Sequence, residues 1–196
     1  MFRKMKTVNE KKTKDDRRSR RTKHLLQHVL VQLLLDKRYD SITVQDILDR
    51  TDVGRSTFYA HFTDKEDLLL SSYQNVFRWL EKQIEQDETK RITPSLDLFL
   101  HVQSHYKLYL ALVRSRKTDL FYRQGQMFLC RIIEKRIDSR MDEKISIPIP
   151  ILSNHLAGSL INLLRWWLEN NMPYTAEKMD EIYNTLVMTS MLADKK

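Results

Sequence analysis

The run TVQDILDRTDVGRSTFYAHFTDK, residues 43–65, restricts the fold more than any other segment of the chain. Its spacing predicts two short helices joined by a tight turn, with a longer helix opening behind them. Thr43 has the chemistry of an N-cap; Val44, Ile47 and Leu48 form an apolar stripe at helical spacing, with Gln45, Asp46, Asp49 and Arg50 turned away. TDVG at 51–54 interrupts the pattern, because Thr and Asp make local side-chain bonds and Gly54 accepts backbone angles that other residues resist. In the next helix Phe58 and Phe62 share a buried face and leave Arg55, Ser56, Thr57, Tyr59 and His61 for another surface. Helix, turn and second helix with a polar outward face is a geometry for reading DNA, since the front of the second helix meets base edges in the major groove. Arg55, Ser56 and Thr57 supply donors there. TDKE at 63–66 has capping-box spacing and puts Lys65 in the first turn of the following helix, where a cation opposes the helix dipole and points to an anionic partner.

The competing reading is an ordinary helical corner in which Tyr59 and His61 are half-exposed packing residues. The residues themselves favour DNA. Over 44–70, above all in VGRSTFYAHFTDKEDLL, the chain resembles the DNA-binding domain of TetR-type transcriptional regulators. The resemblance is close over the first third of the chain and rests elsewhere on an all-helical plan and length. It implies that Thr43 and Val44 approach the DNA backbone and that Gln45 stands where some members touch a base. Arg55 and Ser56 fall at base-reading positions, and Thr57, Tyr59, His61 and Lys65 at positions that mainly hold phosphates.

Charge sharpens the picture. The net charge is +8, and residues 1–62 hold 15 Lys and Arg against 8 Asp and Glu, whereas residues 63–196 hold 19 against 18. The surplus lies beside the helix-turn-helix, as in a polyanion-binding module followed by a neutral one. A membrane-surface role needs an apolar face behind such charge, and residues 1–21 have none. Three Gly and four Pro in 196 residues favour long helices and few loops. The expectation is an all-α chain with an N-terminal arm and three-helix helix-turn-helix domain at 1–62 and a helical ligand-binding and dimerisation domain at 63–196. The single Cys130 excludes an internal disulfide framework, and no signal peptide or bilayer-spanning run is visible, so a cytoplasmic location is expected.

Residues 1–21 are too polar to pack, so no order is expected before about Asp15; the tract is a solvated tail or an arm along phosphates. The first helix then carries Leu26, Val29, Leu30, Leu33 and Leu34. The helix opened at Thr63 keeps its apolar stripe as far as Ile84, about 36 Å at 1.5 Å per residue, enough to bridge both domains. Thr93 caps and Pro94 begins the next helix. Residues 106–113 and about 118–140 read as further helices and 141–150 as a loop. Of the last two helices, ILSNHLAGSLINLLRWWLENN is apolar nearly all round and needs partners on two sides. A four-helix bundle with a second copy follows, through Leu152, Leu156, Gly158, Ser159, Leu163, Trp167, Ile182 and Leu186; a buried monomer core is the alternative. Two such heads bind a pseudo-palindromic operator.

The expected partners are double-stranded DNA, a second copy and a small, mainly apolar effector, with no cofactor or metal. His101, Tyr106, Tyr109, Phe121, Gly125, Phe128 and Trp166 are the candidate effector contacts. The alternative is that these rings are plain core and that Gly125 serves close helix packing. Repression is the expected sign, activation the other. An enzyme would rest on His101 and His105 at i, i+4 near Asp97, and no HExxH, CxxC, phosphate loop or Ser-His-Asp order accompanies them. A helical adaptor is the third class; metal analysis and a DNA-shift assay separate all three.

Overall fold

The computed structural model describes residues 2–86, 91–113, 118–139 and 147–192. Among these the elements are α1 (Phe2–Asp36), a 3-10 turn at Tyr39–Ser41, α2 (Val44–Thr51), α3 (Arg55–Tyr59), α4 (Lys65–Gln86), α5 (Ser95–Ser104), α6 (Tyr106–Val113), α7 (Thr118–Asp138), α8 (Ile149–Glu169) and α9 (Ala176–Leu192). No strand occurs among them. Parts of the expected polar run after Ile84 (87–90) and of the 141–150 loop (141–146) lie outside the described residues, as does the expected end of the 118–140 helix at 140.

Two compact units make up the chain, Met1–Gln74 and Asn75–Lys196. The division falls inside α4 rather than at the expected 62/63 junction. The opening turns of α4 go with the first unit: Leu68, Leu69 and Tyr73 are buried, and Gln27 Nε2 donates to Ser71 Oγ at 2.7 Å.

In the first unit α1 starts at Phe2, well before the expected Asp15. The reason is the absence of any Gly or Pro before Gly54. With Lys and Arg dominating, nothing stops a helix nucleated by the packed stripe at Leu26, Leu30 and Leu33 from propagating backwards. Those leucines, Tyr39, Ile42, Ile47, Phe58 and Phe62 are the core, with the Phe58 and Phe62 rings 6.0 Å apart.

The second unit packs α7 along α8 and α5 against α9. Phe99 meets Trp167 edge to face at 5.3 Å, and Phe77 stacks on Phe128 at 4.6 Å. Tyr183 OH donates to Leu156 O at 3.0 Å, fixing α9 on α8. Pro94 is the N-cap of α5 rather than its first residue. α8 begins at Ile149, with Pro150 in its first turn, where a missing N–H costs nothing.

Two sequence expectations are corrected here. A Cβ on Gly125 would meet Ile161 Cδ1 at 3.1 Å, so the glycine lets α7 and α8 approach and leaves no effector space at that point. The apolar girth of α8 also divides into two faces. Leu152, Leu156 and Trp167 are 6%, 2% and 0% exposed within a single chain, so they are protomer core and not dimer contacts. Ile151 and Trp166 of α8 and Leu186 of α9 are exposed, and Gly158, Ser159, Leu163 and Ile182 are half-buried.

Candidate nucleic-acid interface

Thr43 caps α2 by a full capping box: its Oγ1 accepts from Asp46 N at 3.1 Å, and Asp46 Oδ2 accepts from Thr43 N at 2.6 Å. Lys37 pairs with the same carboxylate at 2.8 Å. The Lys37 hydrogen bond first, and the Thr43 bonds next, hold the Asp46 carboxyl well below the usual range, so the box stays charged and closed in neutral solution. Asp46 is therefore a structural residue of the face, a role its turned-away position in the sequence did not announce.

The turn between α2 and α3 is made by Asp52, which takes the left-handed conformation (φ 53°, ψ 27°) and closes α2 through its N–H to Leu48 O. Gly54 has φ −65° and ψ 147°, an extended N-cap open to any residue, so the conformational freedom expected of Gly54 belongs to Asp52. Asp tolerates that region better than most residues because its short side chain can bond locally.

Arg55, Ser56 and Thr57 are exposed on the first turn of α3, and Tyr59 is exposed just behind them while its ring stands edge-on to buried Phe58 at 5.3 Å. Thr43 and Gln45 are exposed and Val44 half-buried at the start of α2. The two sets are bonded together: Arg55 NH2 donates to Gln45 Oε1 at 2.6 Å, and Gln45 Nε2 donates to Asp49 Oδ1 at 2.7 Å. His61 is half-buried, and burial, aided by the Lys23 charge, pushes its imidazole down, so in neutral solution it is an uncharged donor rather than a cation.

Lys65 is placed otherwise than a simple phosphate contact. Its Nζ donates to Tyr39 O at 3.0 Å and Ile42 O at 2.6 Å and lies 4.5 Å over the Tyr39 ring. It clamps the turn before α2 onto α4. The cap of α4 is Asp64, whose Oδ1 accepts from Glu66 N and Asp67 N at 2.8 Å each, while Asp67 reaches back to Thr63 N at 3.0 Å. The box expected of Thr63 and Glu66 is thus not formed: Asp64 is the cap, and the returning bond from Asp67 goes to the residue before it.

The expected effector residues do not converge. His101, Tyr109 and Phe121 form a ring chain (5.7 and 5.5 Å) that continues to Tyr122 at 5.2 Å and includes Trp79 and His105, each within 4.7 Å of His101. Phe128 stacks elsewhere, on Phe77; Tyr106 is half-buried with its OH 3.5 Å from Asn171; Trp166 turns outward over Tyr174. His101 Nδ1 and Tyr122 OH are buried without a hydrogen-bond partner. Burial, then the neighbouring His105, brings His101 down to about 4. Trp79 was not anticipated; the pairing of His101 with His105 was visible as their i, i+4 spacing. No group of three or more His, Cys, Asp or Glu able to hold a metal occurs among the described residues.

A cationic, polar first turn of α3, carried on a three-helix core, defines a helix-turn-helix DNA-binding protein. Residues 28–71 match the model of bacterial regulatory proteins of the tetR family, and residues 94–189 a transcriptional regulator C-terminal region. The chain belongs to the TetR family of transcriptional regulators, which are DNA-binding transcription factors and not enzymes. It is 39% identical over 66 residues to an uncharacterised HTH-type transcriptional regulator, YxbF, of Bacillus subtilis (strain 168); the match spans 33% of this chain and only 17% of that protein. A TetR transcriptional regulator from Streptococcus agalactiae 2603V superposes with a TM-score of 0.61 at 28% identity over 89% of this chain and 98% of its own. The dihydroxyacetone kinase operon activator DhaS shares the fold, with a TM-score of 0.64 at 17% identity over 86% and 95% of the two chains. Among the described residues no helix is long and apolar enough to cross a membrane.

Proposed function

We propose that this chain is a cytoplasmic homodimeric repressor that binds a pseudo-palindromic operator and releases it on binding a small, mainly apolar effector. The observation that carries the DNA reading is the exposed Arg55–Ser56–Thr57 turn held beside Gln45, on a unit, Met1–Gln74, that carries 16 Lys and Arg against 11 Asp and Glu and so most of the chain's positive surplus. Thr43, Val44, Thr57, Tyr59 and His61 contact the backbone; Lys65 supports the face from behind. The outward Ile151, Trp166 and Leu186 of the α8–α9 pair, with Leu163 and Ile182, supply the dimer contact, since such large apolar groups gain by leaving water. The ring chain around His101 and Tyr122 supplies the effector contacts, because their unpartnered polar atoms favour a ligand that brings a donor or acceptor.

The structural neighbour DhaS is an operon activator, which keeps activation as the second reading. The test begins with duplexes selected from a randomised pool by the full-length protein. Arg55→Ala lowers affinity for the selected duplex by about tenfold to a hundredfold, the worth of a bidentate base contact. Parental affinity in that variant, or a monomer by sedimentation at micromolar concentration, rejects the proposal. Transcription from a promoter overlapping the selected site gives the sign.

A further inference from the structure

Resting on the proposed DNA face, we infer that Asp49 is a positioning residue for base reading, acting through Gln45 on Arg55, and that Gln45 is a bracket for Arg55 rather than a reader of its own base pair. The three side chains form one line across the front of the helix-turn-helix. Asp49 Oδ1 accepts from Gln45 Nε2 at 2.7 Å, and Gln45 Oε1 accepts from Arg55 NH2 at 2.6 Å. The amide can adopt only this sense, because the reverse orientation sets its NH2 against the guanidinium and its oxygen against the carboxylate.

A glutamine reads adenine by presenting its oxygen and its NH2 together to one base edge. Here both ends face protein groups, and the amide plane is aligned between α2 and α3. Arg55 gives one of its five N–H groups to Gln45 and retains the others, so a pair remains for O6 and N7 of a guanine. The carboxylate behind the amide polarises it and strengthens its acceptor toward Arg55. A long arginine on an exposed first turn otherwise samples many rotamers, and ordering it beforehand lowers the entropy lost on reading a base. Asp49 has a cost: an exposed carboxylate near the phosphates weakens binding to every sequence alike. Affinity for DNA in general is thus exchanged for alignment of one base contact.

The charge and the alignment can be separated by substitution. Asn at position 49 loses the charge but keeps an oxygen that accepts from Gln45 Nε2; Ala loses both. Binding of the parent, Arg55→Ala, Gln45→Ala, Asp49→Asn and Asp49→Ala proteins is measured on the selected duplex and on every single-base-pair variant of its half-site, at several salt concentrations. All three substituted positions are exposed, and circular dichroism melting checks the fold. The expected result is that Arg55→Ala, Gln45→Ala and Asp49→Ala lose discrimination at the same base pair, by about three- to tenfold for Asp49→Ala. Asp49→Asn keeps that discrimination, and both Asp49 variants bind unrelated DNA more tightly than the parent.

Loss of preference at a different base pair in Gln45→Ala makes Gln45 a reader and overturns the inference. So does an Asp49→Ala protein that gains affinity uniformly with discrimination intact. If Arg55→Ala itself leaves binding unchanged, the proposed DNA face has failed and the inference falls with it; if Arg55→Ala responds and the Asp49 variants do not, the inference alone has failed.

Discussion

The helix-turn-helix and the α7–α9 region are both helical, yet they are built by different kinds of information. In the first, the caps and the turn are set by residues within a few positions of one another: Thr43 with Asp46, Asp52 with Leu48, Asp64 with Glu66 and Asp67. In the second, what matters is which side of a helix meets another helix far along the chain, as when Gly125 meets Ile161 or Leu156 meets Tyr183. Local chemistry constrains a fold from the sequence outward; the facing of an all-round apolar helix depends on partners that the sequence does not place. Where a helix has one apolar stripe, its inside is stated, and where it has two, only packing chooses.

The sharpest way to break this contrast is to exchange the two faces of α8. Leu156→Ala removes a side chain buried within one chain and should cost about 2–5 kcal/mol, lowering the melting temperature whatever the protein concentration. Ile151→Glu, on the outward face, should leave the protomer folded and raise the dimer dissociation constant in sedimentation. If Ile151→Glu unfolds the chain and Leu156→Ala only dissociates it, the assignment of faces is inverted.

A smaller effect is expected at Gly125. Gly125→Leu forces Ile161 away at the α7–α8 contact and should cost about 1–3 kcal/mol in chemical denaturation. A variant as stable as the parent would mean that space exists there and would return Gly125 to the effector site.

The smallest effect concerns pH. His61 is held uncharged in the free protein by burial and Lys23, and a phosphate favours its imidazolium. The complex then binds more protons than the free partners, so affinity for DNA rises as pH falls below neutrality and flattens only once His61 of the free protein is charged as well. Replacing His61 with Gln should remove that part of the pH dependence in fluorescence titration. An unchanged pH slope would show that His61 does not hold a phosphate.

Much of the head was legible because caps, breakers and the Phe58–Phe62 pair are short-range signals. The left-handed residue was misplaced to Gly54 because composition favours Gly for that conformation, whereas the C-cap position of α2 falls on Asp52. Lys65 was legible as a first-turn cation, but its two carbonyl acceptors come from Tyr39 and Ile42, too distant in sequence to anticipate. The start of α1 is not legible from polarity, because the Lys and Arg residues that make the tract too polar to pack are also good helix formers. In the second unit the helices themselves were readable. The α8 faces were not, and neither was the separation of Phe128 and Trp166 from the ring chain at His101.

The distribution of indole rings gives the molecule an uneven optical signature. All three tryptophans, Trp79, Trp166 and Trp167, belong to the unit Asn75–Lys196, and the DNA-binding head contains none. Trp167 is fully shielded, with its Nε1 donating to Tyr174 O at 2.9 Å, whereas Trp79 and Trp166 are nearly half exposed, one against His101 and the other on the outward face of α8. Intrinsic emission excited at the red edge therefore reports the unit Asn75–Lys196 alone: a blue component from Trp167 follows its folding, Trp166 follows the solvent at the exposed side of α8, and Trp79 follows the surroundings of His101. Melting of the head would pass unseen in that channel, so the wild-type chain is already a single-unit fluorescent reporter.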